Sequence, residues 1–239
     1  MLSKKKLLEN KTILIPNAAR CGSLAYEIVC ELAAESPNLI VTSRKKSNLE
    51  AKEHFIKAGA ADVLAVPVDF YDQSAILACL DKANERFGSI DALILCSQAS
   101  VAGTNFETLK SSQLELSYKS GPVTLFNWLQ ACSQFLIKSH GKAFVCLLDD
   151  AVLEFVGLPL SLAQGASRSL CAQVNTYLQK HGAKCEVIET LCLTKNFRKL
   201  CQDYPGAYEK LCKHLQEKNI ASLMSVHELA AKLISKIIL

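Results

Sequence analysis

The chain has 239 residues, of which 50% are hydrophobic and 21% charged, with a formal net charge of +4. This length and apolar share suit one α/β domain with a full core, and so small a charge excess argues against a nucleic-acid partner. No apolar run approaches the roughly 20 residues of a membrane span, and no hydrophobic signal core follows the lysine-rich residues 1–11, so the reading is a cytoplasmic protein with no membrane partner.

Eleven cysteines are scattered along the chain, an odd count with no C-x-x-C and no Cys/His cluster, so no metal site is expected. Cys30, Cys79, Cys96, Cys146, Cys171 and Cys185 sit inside apolar runs. Free cysteine packs as a small hydrophobe, which argues for a reducing compartment.

Residues 12–16 read as a short buried strand, and Asn17-Ala18-Ala19-Arg20-Cys21-Gly22-Ser23 as a turn of small residues. Residues 24–34 carry apolar positions at helical spacing, and residues 39–43 form a second strand ending at Arg44. This order is the opening βαβ unit of a dinucleotide-binding fold. There, backbone N–H groups and a helix N-terminus approach a pyrophosphate. A polar helix is expected over 48–59, a strand over 63–67 and an amphipathic helix over 73–87. A fourth strand follows over 92–96. Residues 111–139 are helical, with the Gly121-Pro122 step loosening the helix. A fifth strand over 143–148 precedes a helix over 162–181 and a sixth strand over 185–191. Helix-like segments follow over 196–202, 206–218 and 226–239. Six strands alternating with helices predict one α/β domain over residues 1–239: a Rossmann-type doubly wound parallel sheet in the order 3-2-1-4-5-6.

From residue 11 onward the chain resembles the short-chain dehydrogenase/reductase family. That family's turn is commonly T-G-A-A-R-G-I-G, and Ala18, Ala19 and Arg20 match it. Asp69 matches the adenine-contacting aspartate after the third strand. The family's D-x-L-V-N-N-A-G run corresponds to Asp91-Ala92-Leu93-Ile94-Leu95-Cys96-Ser97-Gln98, which places Ser97 at the cofactor. Ser23-Leu24-Ala25-Tyr26 also resembles the S-I-A-Y run of the enoyl-acyl-carrier-protein reductase branch.

The resemblance implies a tyrosine that donates a proton, a lysine that lowers its pKa and holds a ribose, an orienting hydroxyl, and an asparagine in the long helix. Gly165-Ala166-Ser167-Arg168 aligns with G-A-S-K, so Arg168 stands at the lysine position. The tyrosine position is Gln164 in the four-residue register and Ser161 in the enoyl-reductase register. The orienting position falls at 148–151 and the asparagine position at Tyr118. Glutamine cannot donate a proton usefully, serine is a far poorer acid than a phenol, and Arg168 stays charged. Loss of general acid catalysis costs roughly 10²–10⁴ in rate. Asp149, Asp150 and Tyr118 are the candidate replacement acids.

At the cofactor, an acidic residue after the second strand binds a ribose 2′-hydroxyl, whereas arginine accepts a 2′-phosphate. Ser43-Arg44-Lys45 carries no acid there, and Arg20 is the second basic position, so the expected cofactor is NADP. Asn17 tolerates left-handed dihedrals and stands in for the first glycine. Ser23 and Thr194 complete the implied contacts, Thr194 at the carboxamide. The implied substrate is a small carbonyl or enoyl compound. The implied assembly is a homodimer or homotetramer through residues 111–139 and 162–181, with Trp128, Phe135 and Leu136 otherwise exposed. The family's final strand does not follow residues 226–239, which favours the dimer. Two functions follow: an NADP(H)-binding oxidoreductase with degenerate catalytic residues, or a catalytically inactive member acting as a nucleotide sensor or interaction partner.

Overall fold

The computed structural model describes residues 6–45, 50–96, 106–149, 157–190, 202, 205–217 and 223–239. Six parallel strands form one sheet: β1 (Thr12–Ile15), β2 (Asn38–Ser43), β3 (Asp62–Pro67), β4 (Ala92–Leu95), β5 (Lys142–Leu148) and β6 (Lys184–Thr190). Their order is β3-β2-β1-β4-β5-β6, as the βα alternation predicts. The helices are α1 (Leu24–Ala33), α2 (Ala51–Lys57), α3 (Gln73–Phe87), α4 (Ser111–Tyr118), α5 (Thr124–Ser139), α6 (Leu158–Gln179), α7 (Pro205–Glu217) and α8 (Val226–Ile238). Among the described residues no helix is long and apolar enough to cross a membrane.

The inner strands are apolar on both faces because helices cover both. Leu14, Ile40, Leu93 and Val145 face a core closed by α3, α5 and α6. Their alternates Ile13, Leu39, Ile94 and Phe144 face a second core closed by α1, α2 and α8. Asp91, just ahead of β4, locks the sheet's amino end. Its Oδ2 accepts from the Thr12 N–H at 2.9 Å and its Oδ1 from Lys11 Nζ at 3.1 Å.

Three local features depart from the periodicity reading. The helix expected from 162 starts at Leu158, because Pro159 lies in its first turn, where a missing N–H costs nothing. The long helix is two helices joined by a π segment, Lys119–Val123, in which Gly121 has φ −98° and ψ −105° and Pro122 supplies no N–H. Side chains take up carbonyls around that break: Ser120 Oγ donates to the Leu116 carbonyl and Thr124 Oγ1 to the Lys119 carbonyl, both at 2.8 Å. Trp128 and Leu136, expected on the surface, are fully buried against the sheet, and Phe135 is half-buried. The i, i+4 row Trp128, Cys132, Leu136 is the inward face of α5.

Candidate functional site

The carboxyl ends of β1, β2 and β3 lie side by side, because Ile15 pairs with Val41 and Ser43 with Pro67. Just beyond them stand Asn17, Arg20, Arg44 and Asp69, all exposed. Asn17 has φ 59°, the left-handed conformation a first glycine would supply. Its N–H donates to Thr42 Oγ1 at 3.2 Å, which ties the turn to β2. Ala18 and Ala19 are buried and let the turn sit close on the sheet. Ser23 caps α1: its Oγ accepts from the Tyr26 N–H at 3.2 Å and donates to the Arg20 carbonyl at 2.8 Å. The hydroxyl expected at a ligand therefore holds the turn together. Ser43 is buried and its Oγ accepts from the Lys45 N–H at 3.3 Å, so it too shapes the backbone.

Arg44 lies over the ring of Phe70, with its guanidinium carbon 4.8 Å from the centroid. Phe70 meets Tyr71 edge-on at 4.6 Å. Asp69 Oδ1 accepts from the Tyr71 N–H at 3.0 Å, an Asx-type turn that fixes the loop after β3. Phe70 was not among the expected site residues. The signal was an aromatic directly after Asp69, in the loop that follows β3, the strand neighbouring the one that Arg44 follows. Two guanidinium groups beside a left-handed turn suit a phosphate better than a ribose hydroxyl. Tyr26 is packed against Phe55 (centroids 5.2 Å) and stacked on His54 (5.8 Å). Burial, helped by the Cys30 and Cys21 thiols, pushes its phenol up to about 12, so it is a poor proton donor.

The carboxyl end of β5 is organised differently. Gln164 is buried, and its Oε1 accepts from the Leu148 N–H at 3.0 Å. Arg168 Nη2 donates to the carbonyl of the same residue and reaches Glu189 Oε1 on β6 at 3.4 Å. Both peptide groups of the last β5 residue are thus satisfied by side chains from α6. At the expected orienting position, the Leu148 side chain packs against the small apolar cluster of Leu211 and Leu215. Ser161 is half-buried one turn before Gln164, and Tyr118 is 40% exposed at the end of α4, not packed away. Next to Arg168, the Cys185 thiol holds Cys171 down against the opposing effect of burial, and the Arg168 charge adds to it. Both thiols are buried core positions, as their apolar surroundings in the sequence suggest. None of the nine described cysteines is in a disulfide, and among the described residues no three His, Cys, Asp or Glu side chains cluster to hold a metal ion. Ser97, Asp150 and Thr194 lie outside the described residues.

A family model described as short chain dehydrogenase matches residues 11–146. Among curated proteins, a 12alpha-hydroxysteroid dehydrogenase from a Clostridium species is 25% identical over 210 residues, spanning 85% of this chain and 81% of that one. Among solved structures, gox2181 superposes with a TM-score of 0.82 at 15% identity, covering 98% of this chain and 91% of its own. L-sorbose reductase from Gluconobacter frateurii, complexed with NADPH and L-sorbose, gives 0.78 at 16% identity, covering 97% and 90%. At these identities the structural likeness carries the fold alone.

Proposed function

The chain belongs to the short-chain dehydrogenase/reductase family, and from that premise we propose that it is an NADP(H)-binding oxidoreductase of low turnover. The observation that carries the reading is the pair of exposed guanidinium groups, Arg20 and Arg44, beside the left-handed turn at Asn17. The residues present fit the group: Arg44 and Arg20 would hold the 2′-phosphate, Asn17 would shape the pyrophosphate turn, and Asp69 would meet the adenine. NADP(H) supplies hydride transfer when bound. This chain's residues bind and orient it, and their capacity to move a proton is limited. That the L-sorbose reductase structure contains NADPH supports the same cofactor class. A small carbonyl or enoyl compound is the proposed substrate class.

A second reading, a catalytically inactive nucleotide sensor or interaction partner, is favoured by one observation. Gln164 and Arg168 both bind the backbone of Leu148, and neither is a phenol or an amine. Binding of NADPH and NADH to the unmutated protein, followed by fluorescence and thermal shift, tests the cofactor reading. NADPH is expected to bind at least about tenfold tighter, a difference of about 1.4 kcal/mol. Equal affinities would refute it. Steady-state NADPH oxidation with carbonyl and enoyl substrates separates the two readings, since turnover at ordinary enzyme rates excludes the inactive one.

We also propose a homodimer or homotetramer built through α4, α5 and α6. Its support is the exposed apolar set Leu116, Val123, Phe126 and Leu162. Light scattering at micromolar concentration should give a dimer or tetramer, and Phe126→Arg should shift it towards monomer. A monomeric unmutated protein would overturn this.

A further inference from the structure

We infer that Phe70 is a positioning residue for nucleotide choice: its ring is the shelf that holds the Arg44 guanidinium where a 2′-phosphate is read. This rests on the NADP(H) reading above and adds a residue to it. Arg44 stands at the end of β2 with an exposed side chain, and an exposed arginine ordinarily samples many rotamers. Here the guanidinium carbon lies 4.8 Å from the Phe70 centroid, well inside the reach of cation–π attraction.

The shelf itself does not depend on Arg44. Phe70 is only 8% exposed and belongs to the core shared with α3 and α5. Tyr71 packs on it edge-on at 4.6 Å. Asn127 Nδ2 on α5 donates to the Phe70 carbonyl at 3.2 Å, and the Val68 N–H donates to the Ser43 carbonyl at 3.1 Å. The second of these bonds fixes the spacing between the chain carrying the ring and the chain carrying the cation. A guanidinium held over a fixed ring spends none of its N–H groups on a protein acceptor in that contact, and those N–H groups are what a phosphate engages. Pre-orientation lowers the ordering cost of binding, so the ring contributes to affinity only for a ligand that Arg44 contacts.

The experiment compares dissociation constants for NADPH and NADH in the unmutated protein, Phe70→Leu, Phe70→Tyr, Arg44→Ala and Arg44→Ala/Phe70→Leu, with thermal melts to establish folding. Phe70→Leu should lower the NADPH-over-NADH preference about two- to fivefold, the worth of a solvent-exposed cation–π contact. It should leave NADH affinity within about twofold, since Arg44 has no phosphate to meet there. Phe70→Tyr keeps the ring and should restore the preference. In the Arg44→Ala background, Phe70→Leu should change nothing. If Phe70→Leu fails to fold, Phe70→Met carries the same comparison. An unmutated protein that binds neither nucleotide, or both equally, sinks the NADP(H) reading and this inference with it. An unmutated protein that prefers NADPH, with a Phe70→Leu variant that keeps the full preference or loses both affinities equally, leaves the cofactor reading standing and overturns the shelf.

Discussion

The two halves of the sheet's carboxyl edge treat their polar side chains in opposite ways. Beyond β1, β2 and β3, the backbone is held by small hydroxyls, Thr42, Ser23 and Ser43, and the large charged groups Arg20 and Arg44 stand outward. Beyond β5, the large polar groups themselves hold the backbone, because Gln164 and Arg168 take the N–H and the carbonyl of Leu148. A side chain that already satisfies a buried peptide cannot leave it without exposing that peptide's desolvation cost, about 1–3 kcal/mol per orphaned group. On the proposed reading, the first half keeps its charged groups available for a nucleotide, whereas the half expected to carry chemistry is tied into the fold.

The largest expected effect tests that tie. Gln164→Tyr with Arg168→Lys rebuilds the four-residue family spacing. It also removes the acceptor from the Leu148 N–H and forces a phenol into a fully packed position. Orphaning and overpacking together should cost about 3 kcal/mol or more, lowering Tm by roughly 6–12 °C. Ser161→Tyr with Arg168→Lys rebuilds the enoyl-reductase spacing at a half-buried position and leaves Gln164 in place. That variant keeps the partner of the Leu148 N–H and gives up only the Arg168 guanidinium, so it should lose less stability than the Gln164 variant, and it is the one expected to gain NADPH oxidation. A stable, active Gln164→Tyr variant would break the contrast between the halves. A gain in the Ser161 variant alone would sharpen it.

The first half is tested by Arg44→Asp, which replaces the proposed phosphate-binding cation with an acid that suits a 2′-hydroxyl. NADPH preference should fall about tenfold or more, roughly 1.4 kcal/mol, with thermal stability within about 0.5 kcal/mol of the unmutated protein. If stability falls instead, Arg44 holds the fold together just like Arg168, and the two halves no longer differ.

Much of this was legible in the sequence alone. The strand order follows from apolar runs alternating with amphipathic segments, since right-handed crossovers leave few topologies. The exposed places of Arg20, Arg44 and Asp69 beyond the strand ends were legible because each follows a strand closely, and strand ends are where ligands are expected in this fold. What was not legible depends on side-chain direction between elements distant in sequence. Nothing local says that Gln164 turns towards Leu148, 16 residues earlier, or that Arg44 rests on Phe70. Helical spacing puts Trp128 and Leu136 on one face of α5 but does not say that this face is the inner one. The start of α6 was hidden because Gly157 and Pro159 look like loop residues until their places at the cap and first turn are seen.

The smallest effect comes from a surface pair at the far end of α1 from the turn. His227 Nδ1 on α8 sits 2.9 Å from Glu31 Oε2, in the last turn of α1 and thus at the opposite end from the Ser23 cap. The hydrogen bond to the Glu31 carboxylate, and then its charge, raise the His227 pKa above its ordinary value. A raised folded-state pKa contributes stability that is fully present below the unfolded value of about 6.5 and is lost as pH rises through the folded value. The side chains are 81% and 40% exposed, so the contribution is small and screened by salt. The Tm gap between the unmutated protein and His227→Gln should be measurable at about pH 6, vanish by about pH 9 and shrink in roughly 1 M salt. Nucleotide preference should not move, because the pair touches neither Arg20 nor Arg44. A gap that widens with pH would mean that Glu31 does not stabilise the protonated ring. A change in NADPH preference would mean that α1 transmits its charge state to the turn, and the exposed cations there would no longer be independent of the fold beneath them.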